Sequence, residues 1–171
     1  MQSNNNNVQV IRPPEQENEF NRHPELGYEE KFSEGFIRFL EHGAPHPLIR
    51  WHFHEEYELH LITSTTGKVF VGDYIGHFQP GQLVLTGPHL PHNWITSEFP
   101  DGQVSVDIRD KVMQFSREPL VQSADLIPEL SSLMSLLDRA GHGIEFYGLS
   151  PEVEQIMDRI KVNTGLDRFA L

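Results

Sequence analysis

The chain has 171 residues, 37% of them hydrophobic, enough for one sizeable core and short for two. It contains no cysteine, which removes a disulfide framework, a thiolate zinc site and a cysteine nucleophile from consideration. Its 13 Lys+Arg stand against 25 Asp+Glu, and a formal net charge of −12 argues against any grip on nucleic acid.

Residues 1–19 are polar, with an Asn tract, a Pro-Pro pair and Glu15, Glu17 and Glu19. They read as a mobile arm that cannot bury enough apolar surface to fold alone. The opening MQSNNNNVQV lacks a signal-peptide pattern, and no run approaches a membrane-spanning helix, so a soluble cytoplasmic protein with no membrane contact is expected. Over 20–48, GFIRFL fits a short strand or a helical turn, with strand preferred, and the Gly43 to Pro47 stretch stops either. From Ile49 the pattern is β. Short runs rich in Val, Ile, Phe and Thr are punctuated by Thr66-Gly67, Gly72-Asp73, Pro80-Gly81, Gly87-Pro88 and Pro100-Asp101-Gly102. Gly72-Asp73 between KVFV and YIGHF predicts a two-residue hairpin. VSVDIRDKVMQF supplies one or two closing strands, and the whole suggests a sandwich or barrel.

After Phe115 the period changes to helical. Leu126, Leu130, Leu133 and Leu137 predict a helix at about 128–139, with Pro128 near its start and Gly141 and Gly143 at its end. A second, at about 151–162, opens at Ser150-Pro151 and carries Val153, Ile156, Met157 and Ile160. Another apolar pattern starts at Leu166 and stops at Leu171, as if the chain were cut before a further domain.

The chemistry concentrates between Arg50 and Trp94. His52 and His54 form an H-x-H step, Glu58 follows with the same parity, and His92 comes after a Gly/Pro-rich stretch. Residues two apart on a strand share a face and can converge on one point. Three imidazoles and a carboxylate suit one divalent transition metal, with Zn, Fe, Mn, Ni and Cu not distinguished. The opposite parity carries Trp51, Phe53, Tyr57, Leu59 and Leu61, an apolar set that by itself would be the core face and leave the histidines in solvent. The metal reading therefore requires this strand to be covered on both faces, or a bulge in the three residues between His54 and Glu58 that changes the parity. His60 shares the parity of Glu58 and fits either the lumen below the site or a hydrogen-bonded interior position. Trp94 and Trp51 are candidates to stack on an effector, with core packing as the alternative. His89 reads as a solvated turn residue, and His23, His42, His46, His77 and His142 show no partner pattern.

These motifs resemble the cupin pattern: His52, His54 and Glu58 fit its first motif, and the interval from Gly81 to His92 fits its second. The chain departs from the family at Pro88-His89-Leu90-Pro91, where Pro-x-Gly before the histidine is usual, and the family's later asparagine is missing from its usual place, although Asn93 sits next to His92. The wording H-x-H-x-x-Y-E-L-H-L-I, then PGQLVLTGPHLPHNW, QFSREPL and a Pro-Glu-Leu helix is similar to the N-terminal half of AraC-type transcriptional regulators over about residues 30–171. The resemblance implies a mainly β fold, a cupin-like double-stranded β-helix (a jelly-roll barrel) over 20–117. Two to three C-terminal α-helices over 118–171 would form a dimerisation segment, with DNA bound through an absent C-terminal domain. It also implies effector sensing: a small molecule, a sugar for example, and/or a divalent metal held in the barrel. A pocket of about 300 Å³ or more near His92 and Trp94 would be needed for a metabolite, with the arm as lid. A homodimer through Leu130, Leu133, Leu137 and Ile156 is expected, because two amphipathic helices exceed what one barrel wall covers. The alternative is a small metal-dependent cupin enzyme, a dioxygenase or isomerase.

Overall fold

The β-branched runs after Ile49, joined by one earlier strand in each case, pair into two five-stranded, mostly antiparallel sheets. The computed structural model describes residues 12–17, 37–46 and 49–171. Its strands are β1 (Glu15–Gln16), β2 (Ile37–Ala44), β3 (His52–Phe53), β4 (Tyr57–Ile62), β5 (Thr66–Val71), β6 (Tyr74–Phe78), β7 (Leu83–Thr86), β8 (His92–Glu98), β9 (Val106–Phe115) and β10 (Ile144–Phe146). One sheet has the order β1-β3-β8-β5-β6 and the other β10-β7-β4-β9-β2. The strand expected in GFIRFL is β2 from Ile37 onward; residues 35 and 36 lie outside the described residues, as do 1–11 and 18–19 of the arm. Gly72-Asp73 makes the expected two-residue turn: Val71 pairs with Tyr74, and Gly72 takes φ 57°, open to glycine without a Cβ clash. Thr66-Gly67 is not a turn. Gly67 lies inside β5 at a register shift against β8, and the chain reverses earlier, at Thr65, with φ 65°.

The sheets differ in what covers them. In β5 burial alternates between the interior and solvent, as in a sheet wet on one side. Strands β4 and β7 are buried along almost their whole length because helices cover their outer face. That outer layer joins Tyr57, Leu85 and Phe115 to Leu137 and Ala140, and beside them Leu61 and Leu83 to Met157. Full burial of such side chains contributes about 1.5–3 kcal/mol each. Trp51 and Phe53, on β3 and its approach, are half-buried.

The helical region holds α1 (Arg117–Leu126), α2 (Ser131–Arg139), α3 (Val153–Val162) and the short α4 (Gly165–Phe169). The helix expected at about 128–139 is a 3-10 turn at Pro128–Leu130 leading into α2, whereas Leu126, placed in its apolar stripe, ends α1 and is exposed, with Ile127, extended before Pro128, separating the two. Helix α1 went unread because its burial is weak: none of its residues is buried. The 118–171 segment also returns a strand to the second sheet, where β10 pairs with the edge of β7. Gly87 lets this segment close in, since its N–H donates to the Ala140 carbonyl at 2.8 Å and a Cβ there would meet Ala140 backbone at 2.8 Å. Among the described residues no helix is long and apolar enough to cross a membrane.

Candidate metal centre

Three of the four expected ligands sit where the two sheets meet. His52 of β3 pairs directly with His92 of β8. The chain then leaves the first sheet after Phe53 and enters the second at Tyr57, and His54 lies in that crossing. This crossing, rather than one continuous strand of fixed parity, brings His54 to Glu58. Glu58 sits in β4 between Thr86 of β7 and Gln114 of β9. Covering by the helices resolves the parity problem: Tyr57 and Leu61 face the outer layer, and Glu58 and His60 face inward.

One ligand atom from each of His52, His54 and His92 lies within 4.8 Å of the others. Each Nδ1 is 2.7–3.0 Å from a backbone carbonyl: His52 to Arg50, His54 to Glu56 and His92 to Leu90. A carbonyl oxygen only accepts, so each Nδ1–H donates; the neutral rings of His52 and His92 then offer a lone pair at Nε2, and His54 does so once the Nε2 proton it gives to the Glu58 carboxylate is lost. Ligand histidines are commonly oriented this way, by a bond from the nitrogen not used for the metal. The Nε2 of His92 is buried without a hydrogen-bond partner. Such an atom costs about 1–3 kcal/mol if nothing meets it. Glu58 stands beside the trio, its Oε2 at 3.1 Å from His54 Nε2 and its Oε1 at 3.7 Å from His92 Nε2. Donors sharing a zinc-like ion at about 2.0–2.1 Å lie roughly 3–4 Å apart. The His52-His54-His92 group could hold a metal ion, and its donor chemistry fits a divalent transition metal.

The electrostatics are consistent with such a role. Burial pushes the His92 imidazole down to about 3, against the pull of Glu58, so it stays neutral. Burial likewise lowers His52, although Glu17 and Glu58 pull upward. His54 moves the other way: burial opposes its charging, but the hydrogen bond and the charge of Glu58, with Glu56 behind, raise it. Burial would raise Glu58, yet His92, His54 and His60 around it hold it well below the usual carboxylate range.

A second layer supports Glu58; of its members the sequence singles out His60, in the hydrogen-bonded interior position, but not Gln114, Asp110 or Arg109. Gln114 Nε2 donates to its Oε2 at 3.0 Å and His60 Nδ1 to its Oε1 at 2.8 Å. His60 Nε2 lies 3.3 Å from Asp110, which also accepts from His42 Nδ1 at 2.8 Å and pairs with Arg109. His60, raised by Asp110 and Glu58 despite its burial, stacks on Trp94 with centroids 3.8 Å apart. Asp110 is held far below the usual range by His60 and His42, also against burial. The available signal was Arg109-Asp110-Lys111 in the middle of an apolar strand. All three are buried, which demands partners on both faces of β9.

His60 and Trp94 line the cavity beside the histidines, together with Glu17, Arg109 and Gln114; Trp51 does not. That cavity is about 30 Å³, far below the 300 Å³ expected for a metabolite. Hydrogen-bonded side chains fill the space. Residues 12–17 of the arm close over it: β1 runs parallel to β3, Glu17 N–H donates to the Phe53 carbonyl at 2.7 Å, and Arg50 binds the Glu17 carboxylate at 3.1 Å. His89 is exposed in its turn as expected, and its N–H donates to the His54 carbonyl at 2.7 Å. Among the expected dimer residues, Leu137 is 1% exposed against its own sheet, which leaves it no surface for a partner. Leu130, Leu133 and Ile156 are half-buried along an apolar groove between α2 and α3. Compared with known proteins, the chain matches no family model and no curated protein, so the functional reading rests on the site itself.

Proposed function

We propose that this chain is a metal-sensing domain of jelly-roll architecture, built like the sensor half of an AraC-type regulator, whose effector is the divalent metal ion itself. The observation that carries the reading is the convergence of His52, His54 and His92, each with Nδ1 tied to a backbone carbonyl. The strand orders β2-β9-β4-β7 and β3-β8-β5-β6 support the jelly roll, because they alternate between sheets as two Greek keys do. The cavity supports the choice of effector: about 30 Å³ suits an ion and a water and excludes a sugar. Glu58 is the fourth ligand in this reading. The ion would draw Glu58 and His54 inward, tightening β3, the β1 strand paired to it, and β4, on whose outer face the helices rest. The groove at Leu130, Leu133 and Ile156 is the twofold contact with a second copy. The attached DNA-binding domain of the resemblance would read out the change.

Hydrogen exchange of the chain with and without one equivalent of zinc tests this. Slower exchange at the amides of Glu15, Glu17 and the 117–162 helices is expected. Protection confined to residues 52–58, or no zinc uptake, would contradict a sensor. For assembly, sedimentation should give a dimer that Leu133→Asp dissociates; a wild-type monomer would remove the dimer. A metal-dependent dioxygenase or isomerase is the second reading, favoured by the same three-histidine, one-carboxylate set.

A further inference from the structure

A second cavity, of about 200 Å³, lies between the β5–β6 hairpin and the β7–β10 edge and shares no lining residue with the histidine cluster. Its floor is hydrocarbon: Val69, Val71 and Val84 are 1%, 5% and 5% exposed, and Ile144 closes one side. One wall is the Glu145 carboxylate. Gln82 Nε2 donates to its Oε1 at 2.9 Å and the Tyr147 hydroxyl to its Oε2 at 2.8 Å, which fixes the group in place. A carboxylate accepts about four hydrogen bonds, so roughly two positions remain for a donor in the cavity. Tyr74 contributes an aromatic ring to the lining and His142 an imidazole, and among the described residues no Lys or Arg lines it. The chain's net charge of −12 adds a field that draws cations.

The geometry points to a binding site for a small primary ammonium compound with an apolar body about the size of a benzyl group. The valine floor takes the body. Glu145 takes the ammonium by a charge-assisted hydrogen bond, and the Tyr74 ring adds its negative π face. The size follows from volume, since an apolar cavity of about 150 Å³ accepts benzene and this one has room for one or two atoms more. The site does not depend on the metal reading, because none of His52, His54, His60 and His92 lines it; the histidine in its wall is His142.

The test is an amide-shift NMR titration of the metal-free 171-residue chain with benzylammonium and its neutral counterpart, benzyl alcohol. Saturable shifts are expected at Val69, Val71, Val84 and Ile144, with benzyl alcohol about tenfold weaker, the scale of a hydrogen bond to a charged group. Glu145→Gln should bring benzylammonium down to the level of the alcohol and leave alcohol binding unchanged, which also shows that the cavity is intact. Tyr74→Ala, at a residue 52% exposed, should weaken benzylammonium by roughly two- to fivefold. Equal affinity for the two compounds, an unaffected Glu145→Gln, or the lack of saturable shifts at these four residues would overturn the assignment.

Discussion

Between the same two sheets, Ile62, Val69, Phe78 and Val84 close one end of the interior with hydrocarbon, while His54, Glu58, His60, His92 and Gln114 fill the other with ionisable and amide groups. Both ends are buried, and the same strands supply them: β4 gives Ile62 to one and Glu58 to the other, and β8 gives Trp94 and His92 to adjacent positions. The hydrocarbon end gains from burial alone. At the polar end every group must find a partner, and where one does not, as at His92 Nε2, stability is lost unless a ligand meets it. The contrast separates the part of the interior that holds the fold from the part that holds the site.

The largest expected effect lies at the apolar end. Phe78→Ala, at a side chain 2% exposed, should cost about 3–5 kcal/mol in urea unfolding and leave zinc stoichiometry of the folded protein unchanged. If zinc affinity falls in step with stability, the two ends are not separable. Next comes the metal. Zinc at 100 times its Kd should stabilise the wild type by about 2.7 kcal/mol, and this gain should vanish in His92→Gln. Calorimetric unfolding with and without zinc decides it. Asp110→Asn acts one step further out, on His60 and through it on Glu58. Zinc affinity should drop by about 10–100-fold, measured by competition with a chelating dye, with the coordination number retained.

A pH profile of the metal-free protein tests the titrating groups of the polar end themselves. The folded pKa of His92 and His52 is lowered, so below about pH 6.5 the unfolded chain binds protons that the folded one refuses, and stability falls toward acid. The lowered Glu58 and Asp110 add to that limb, their contribution being present above about pH 4 and lost as pH falls through their folded values. His54 and His60 are raised, so their contribution is full below about 6.5 and is lost as pH rises through the folded values. Urea midpoints should therefore peak near pH 6.5, each proton accounting for about 1.4 kcal/mol per pH unit. A midpoint that rises steadily to pH 9 would place the raised histidines in error.

The hydrocarbon end and the hairpin were legible in the sequence because alternation and Gly72-Asp73 are local signals. The ligand set was legible too, but not how it assembles. Parity on one strand suggested that His52, His54 and Glu58 share a face, whereas the chain changes sheets between Phe53 and Tyr57. Whether Tyr57 and Leu61 face a core or a helical layer depends on residues some 80–100 positions later, Leu137 and Met157, which no local window contains. Gln114, Asp110 and His42 were missed for the same reason: their partners lie across the ladders of β4 and β2. The volume of the cavity was beyond pattern reading, since it depends on how closely His60, Trp94 and Arg109 pack.

The central claim, one ion held by His52, His54 and His92, is tested most directly by isothermal titration of zinc into the untagged chain, beside His92→Gln. The account predicts saturable uptake of one zinc per chain, with affinity at least about 100-fold lower in His92→Gln, because removing one of three imidazoles leaves an incomplete donor set. Uptake that is absent in the wild type, or equal in the two proteins, would contradict it.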